Sequence, residues 1–258
     1  PEPDPGTLTF RMTRAGKIIA MTRVDGRENN QLRPVSFQTD FVEYPEGSVL
    51  ITVGKTRVLC NVSIEEKVPP WMDSPDASRG WITAEYALLP RSTTTRVKRE
   101  IDGFSGRTQE IKRLIGRSLR AGFNLDLLGK RTYIVDCDVL QADGGTRTAS
   151  ITGGYLALVL ALHDLLQKGE ISPGVFLPPV AAVSVGLLDN ELLLDLNYQE
   201  DSRADADLNI VMNSEGDYIE VQGTGEGAVF SREELDQMLD LASRGIQELI
   251  KHQVDHIK

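Results

Sequence analysis

This 258-residue chain has only two cysteines, three histidines and few aromatic residues. Cys60 and Cys137 lie in separate alternating segments and read as small buried thiols, which excludes a disulfide framework and a cysteine-based zinc cluster. His163 stands alone. His252 and His256 have helical ligand spacing, but they fall at the end of the last helix, where a solvated surface is expected, and no histidine-dependent nucleophilic triad can be assembled. No apolar run approaches the length of a membrane span, and the run from Ile18 to Met21 is too short for a signal-peptide core. The expectation is a cytoplasmic protein with no membrane partner. The chain does not begin with methionine, so Pro1 reads as a processed, truncated or engineered start, and Met21 is a possible internal one.

Apolar residues make up 40% and charged residues 26% of the sequence, ordinary values for a globular chain long enough for one large domain or two small ones. A net charge of −10 argues at first against a polyanionic partner. The distribution reverses that impression. Between Arg91 and Arg120 nine basic residues face three acidic ones, a local balance of +6 that leaves −16 for the rest. A positive island in an acidic protein is a polyanion-binding signal. Its first part, Arg91 to Glu100, interleaves Arg91, Arg96 and Arg99 with threonines. This reads as a solvated loop, which is compatible with an arm that touches the phosphates of a single strand.

The most informative stretch runs from Tyr133 to Leu160. Tyr133, Val135, Cys137 and Val139 alternate with Ile134, Asp136, Asp138 and Leu140 as in a strand, then Gly144-Gly145-Thr146-Arg147 leads into a long apolar run that predicts a buried helix. Strand, glycine turn and helix start form an anion site: glycines let backbone N–H groups approach, hydroxyl residues cap or donate, and the helix N-terminus carries partial positive charge. A plain turn and cap accounts for the same glycines and hydroxyls. It does not call for an arginine inside the turn, and Arg147 offers a planar fork suited to phosphate.

Residues 1–24 lack sustained periodicity and read as a tail. The segment from Val49 to Ile64 predicts a hairpin turned at Gly54, Ser74 to Gly80 a mobile loop, and Trp81 to Leu88 a strand. Gly106 opens a helix with Ile111, Leu114, Ile115 and Leu119 inward and Arg113, Arg117 and Arg120 on another face. Arg107 sits in or just before its first turn, either solvated or directed at a phosphate. Past Gly169 and a Pro-containing linker, a second hairpin turns at Asp189-Asn190, similar in layout to the first and suggestive of a duplication. Glu200, Asp201, Asp205 and Asp207 then precede a strand; four carboxylates so close repel unless a cation or solvent relieves them, and oxygen-only ligands suit magnesium or manganese. The glycines from Gly223 to Gly227 read as a turn, and Ser231 with Glu234 as the capping box of a final helix burying Leu235, Met238, Leu239, Ala242, Ile246 and Leu249.

In this order the segments resemble the bacterial ribonuclease PH family. The match is carried by DGR at Asp25–Arg27, LRP at Leu32–Pro34, PEGSVLI at Pro45–Ile51, GWITAEY at Gly80–Tyr86, LPR at Leu89–Arg91, SGRTQEIKRLIGRSLR at Ser105–Arg120, DCDVLQADGGTRTASITG at Asp136–Gly153 and EDSRADADLN at Glu200–Asn209. The resemblance covers about 25–253 and implies an α+β fold of two related βα halves, about 25–169 and 178–253, with mixed sheets packed against helices. It implies inorganic phosphate held by Arg107, Gly145, Thr146 and Arg147, a magnesium or manganese ion associated with the catalytic carboxylates Asp201 and Asp207, and RNA gripped by Arg91, Arg96 and Arg99. It also implies a homohexamer built as a trimer of dimers, and trimming of single-stranded RNA 3′ ends, chiefly of precursor tRNA, by reversible phosphorolysis. A hydrolytic two-metal exonuclease leaves Arg107 and Arg147 without a role, and a non-catalytic RNA-binding subunit has no need of both the arginines and the aspartates.

Overall fold

The computed structural model describes residues 11–12, 18–19, 23–74, 78–100, 103–225 and 229–257. Residues 75–77 of the expected mobile loop, Gly227 and most of the expected tail lie outside these. Within the tail, β1 (Arg11–Met12) and β2 (Ile18–Ile19) pair antiparallel.

The first sheet contains β3 (Val35–Thr39), β4 (Gly47–Val53), β5 (Thr56–Glu65), β6 (Trp81–Leu88) and β7 (Thr132–Gln141), in the order β3-β4-β5-β7-β6. The β4–β5 hairpin turns at Gly54 as expected, and only the β6–β7 pairing is parallel. That pairing needs a crossover, and α1 (Gly106–Arg120) lies in the connection, packing Gly116 against the backbone of Thr83 and Ala84. Its expected inner face, Ile111, Leu114, Ile115 and Leu119, is fully buried. The alternation in β7 also holds: Tyr133, Val135, Cys137 and Val139 are buried while Ile134, Asp136, Asp138 and Leu140 are half-buried.

The second sheet, β8 (Val180–Leu188), β9 (Glu191–Leu194), β10 (Ala206–Asn213) and β11 (Tyr218–Gly225), is antiparallel with order β11-β10-β8-β9. Asp189 and Asn190 both take positive φ (52° and 65°) in the β8–β9 turn, the geometry that twists a two-residue hairpin correctly. β11 runs through Gly223 to Gly225, where sequence suggested a turn; pairing with Leu208, Asp207 and Ala206 overrides the weak strand preference of glycine.

Every residue of β8 is buried because helices cover both faces of its sheet. Val180 and Ala182 join the core around α2 (Thr146–Gln167), while Ala181, Val183 and Val185 join that around α4 (Arg232–Val254). α2 also packs on the first sheet. A Cβ at Gly153 would lie 2.6 Å from Ile51 Cγ2 and 3.1 Å from Cys60 Sγ, so glycine sets how closely the helix approaches the strands. At 22 residues α2 is, contrary to expectation, long and apolar enough to cross a membrane, but 78% of its apolar window is buried inside the protein. Ile151, Leu156, Leu158 and Leu162 are fully buried, each worth about 1.5–3 kcal/mol of transfer free energy. The capping box of Ser231 and Glu234 starts α4 as expected.

Candidate functional site

α2 begins at the edge of a cavity of about 600 Å³ that opens where the two halves meet. Gly145 is the N-cap, in the left-handed conformation at φ 64°, and no side chain caps the helix. The hydroxyls expected to do so point elsewhere: Thr148 Oγ1 donates to Gly145 O (2.9 Å) and Ser150 Oγ to Thr146 O (2.8 Å). The first turn therefore starts without a side-chain cap where Gly145, Thr146 and Arg147 line the cavity, an arrangement suited to an anion. Gly144, at φ 76°, touches the next element: a Cβ there would lie 2.5 Å from Leu196 O and 2.7 Å from Asn197 C. Thr56 fixes the loop from below, its Oγ1 donating to Gly144 O (2.7 Å) and accepting from Asp143 N (2.9 Å).

Of the residues singled out from sequence, Arg107, Gly145, Thr146, Arg147, Asp201 and Asp207 all line this one cavity. Arg107 enters from the first turn of α1 and is exposed. Arg147 Nη1 donates to Gln222 Oε1 (2.8 Å) and lies 3.8 Å from Glu110 Oε2. Asp201 ends α3 (Tyr198–Asp201), and Asp207 sits on β10 directly opposite Thr224 of β11. Arg91, Arg96 and Arg99 are exposed and do not line the cavity; Thr93, Thr94, Thr95 and Val97 of the same segment do. Arg91 Nη1 instead donates to Thr94 O (3.0 Å), and the charge of Arg99 acts on Asp138. Three other cations of the basic island are internally matched: Lys112 pairs with Glu85 and Arg117 with Glu220, and Arg120 lies over the Trp81 ring and donates to Ile82 O.

The sequence reading missed three parts of the site. Tyr86 Oη is 2.8 Å from Thr146 Oγ1, and burial raises its pKa above the ordinary range against the opposing pull of Arg107 and Arg147, so the phenol stays protonated beside the loop. Tyr198, Asn209, Gln222 and Thr224 complete the wall. Beneath lies a buried charge cluster. Arg33 donates from Nε (2.9 Å), Nη2 (2.6 Å) and its backbone N (2.8 Å) to the Asp195 carboxylate, and from Nη1 to Asp143 O (2.5 Å). Arg23 makes a two-pronged contact with Glu200 (2.8 and 2.7 Å) and donates to the carbonyls of Leu194 and Asp195. Two expectations are corrected here. Arg23, placed in the tail, is 6% exposed and part of the fold. Glu200, grouped with an acidic loop, is 4% exposed, forms the capping box of α3 with Asn197 and is neutralised by Arg23.

Among the described residues no group of three or more His, Cys, Asp or Glu could hold a metal. Asp201 and Asp207 supply two carboxylates on one cavity wall, which suits an ion that takes one or two carboxylates and completes its shell with water and substrate phosphates.

An uncapped helix start, two arginines and two aspartates thus line one cavity, a combination of residue types suited to an enzyme that acts on anionic substrates. Comparison gives the family. Residues 31–162 match domain 1, and residues 178–245 domain 2, of the 3′ exoribonuclease family, and the chain belongs to it. It is 54% identical over 235 residues to ribonuclease PH of Bacillus subtilis strain 168, covering 90% of this chain and 95% of the relative. With ribonuclease PH of Crocosphaera subtropica it shares 55% over 235 residues, covering 91% and 97%. Among solved structures, an Archaeoglobus fulgidus exosome chain with RNA bound to the active site superposes with a TM-score of 0.74 at 25% identity, covering 88% of this chain and 91% of that one.

Proposed function

We propose that the protein is a phosphate-dependent 3′-to-5′ exoribonuclease that shortens single-stranded RNA 3′ ends, chiefly of precursor tRNA, and releases nucleoside diphosphates. The carrying observation is the convergence of Arg107, Arg147 and the uncapped start of α2 on the cavity that also holds Asp201 and Asp207. Inorganic phosphate is seated by the backbone N–H groups from Gly145 to Arg147, the Thr146 hydroxyl and the two guanidinium groups. Its oxygen attacks the phosphorus of the last phosphodiester. The bond from that phosphorus to the 3′-oxygen of the penultimate nucleotide breaks, leaving an RNA one nucleotide shorter and a nucleoside 5′-diphosphate.

The arginines neutralise the attacking anion, so two negatively charged reactants can meet. Phosphate is nucleophilic at neutral pH without a histidine base, and none of the described residues that line the cavity is a histidine. Asp201 and Asp207 would hold magnesium, or manganese in its place, which when bound supplies charge stabilisation to the phosphoryl and leaving oxygens. Because the product stores a phosphoanhydride, the reaction runs backward when nucleoside diphosphates are abundant.

Arg91, Arg96 and Arg99, exposed beside the cavity wall, suit contacts to phosphates upstream of the RNA end. A homohexamer arranged as a trimer of dimers and a cytoplasmic location complete the reading, supported by the similarity to ribonuclease PH. Arg107→Ala tests the seat: phosphate-dependent turnover falls by at least 100-fold with RNA affinity within threefold, and turnover like the parent's would overturn the assignment.

A further inference from the structure

The phosphate-seating Arg147 is held by a three-residue relay that spans both halves of the chain. Its Nη1 donates to Gln222 Oε1 at 2.8 Å, and Gln222 Nε2 in turn donates to Glu110 Oε1 at 2.9 Å. Glu110 belongs to α1, Arg147 to the first turn of α2 and Gln222 to β11, so the first half carries both ends of the relay and the second half its middle. An amide has one accepting and one donating end, and both are used here. A carboxylate only accepts, so Glu110 requires the amide nitrogen of Gln222 and leaves the amide oxygen for Arg147.

We infer that Glu110 and Gln222 are positioning residues for phosphate: Glu110 sets the direction of the Gln222 amide, and Gln222 holds one edge of the Arg147 guanidinium so that its remaining donors face the cavity. The inference rests on the assignment of Arg147 to the phosphate seat. Gln222 lies directly opposite Asn209 in the β10–β11 ladder, two positions along from the Asp207–Thr224 pair, and all four residues line the cavity. The relay thereby ties the position of the phosphate arginine to the sheet that carries Asp207. It uses a neutral amide next to Arg147, with the Glu110 carboxylate 3.8 Å away. A carboxylate at position 222 would instead form a short charge-assisted pair with Arg147 and compete with the incoming anion.

The test is steady-state kinetics on a single-stranded RNA at varied phosphate, with RNA affinity and thermal melting recorded for each variant. Gln222→Leu and Glu110→Ala each raise the KM for phosphate about tenfold, with kcat at saturating phosphate within twofold and RNA affinity unchanged. Glu110→Gln keeps an acceptor for Gln222 Nε2 and restores a parent-like KM, while Gln222→Glu raises it further than Gln222→Leu. Arg147→Ala is measured beside them. If it raises the KM for phosphate while Gln222→Leu and Glu110→Ala leave it unchanged, the relay is overturned and the phosphate seat stands. If Arg147→Ala itself has no effect on the phosphate dependence, the seat is wrong and the relay falls with it.

Discussion

Asp195 is the residue on which the buried cluster beneath the site depends. Its carboxylate accepts three hydrogen bonds from Arg33, and Arg27 Nη1 lies 3.6 Å away, with the side chains of all three residues at most 7% exposed. Three arginines, at 23, 27 and 33, are balanced there by Asp25, Asp195 and Glu200. Asp195→Asn is the cleanest perturbation because Asp195 has a φ of 54°, which asparagine tolerates and alanine does not. The substitution removes one negative charge and leaves Arg33 without its paired carboxylate in a buried site. Breaking a buried pair from one side costs about 3–5 kcal/mol. At roughly 2–4 °C per kcal/mol for a protein of this size, the melting temperature falls by roughly 6–20 °C. Urea denaturation of parent and variant measures the loss directly. Arg33 also holds Asp143 O next to the glycine loop, so activity measured well below the melting point falls too. A loss under about 1 kcal/mol would refute the claim that the cluster is a dry, mutually neutralised network.

Replacing Arg91, Arg96 and Arg99 together with alanine weakens RNA binding and flattens its dependence on salt. With single-strand contacts contributing about 0.7 each to the logarithmic slope, the slope drops by about 2 in magnitude, and an unchanged slope shows that the arm is only solvated. Asp136, half-buried on β7, is held above the usual carboxylate range by burial and by Asp138 and Glu85, with Lys112 opposing. A raised pKa in the fold contributes stability below the ordinary carboxylate value, and that contribution is lost as pH rises through the raised value. Asp136→Asn is therefore more stable than the parent at pH 7 and converges with it in acid; denaturation at both pH values checks this, and a destabilised variant at pH 7 contradicts it.

Most of the secondary structure was legible because apolar periodicity and turn chemistry agreed, as in the Gly54 and Asp189-Asn190 hairpins, the inner face of α1 and the box opening α4. The glycine turn was legible as the start of a buried helix because the strand pattern stops at it and a long apolar run follows, and the structure puts that helix start on the cavity. What stayed hidden depends on distant partners. Glu200 looked like one of four repelling carboxylates, and its contacts with Arg23, 177 positions away, and with Arg27 make it a buried structural anion. Gln222 carries no chemical signal of its own in the sequence, and its amide gains partners only where Glu110 and Arg147 meet it. Gly223 to Gly225 read as a turn because local preference was weak, and the ladder with β10 decided otherwise.

The central claim is that phosphate, not water, cleaves the last phosphodiester. The direct measurement is product analysis on a 3′-labelled RNA with an unpaired end, in the presence of magnesium, with and without inorganic phosphate. The account predicts labelled nucleoside diphosphate that forms only when phosphate is present. Labelled nucleoside monophosphate released without phosphate would contradict it and move the chemistry to activated water.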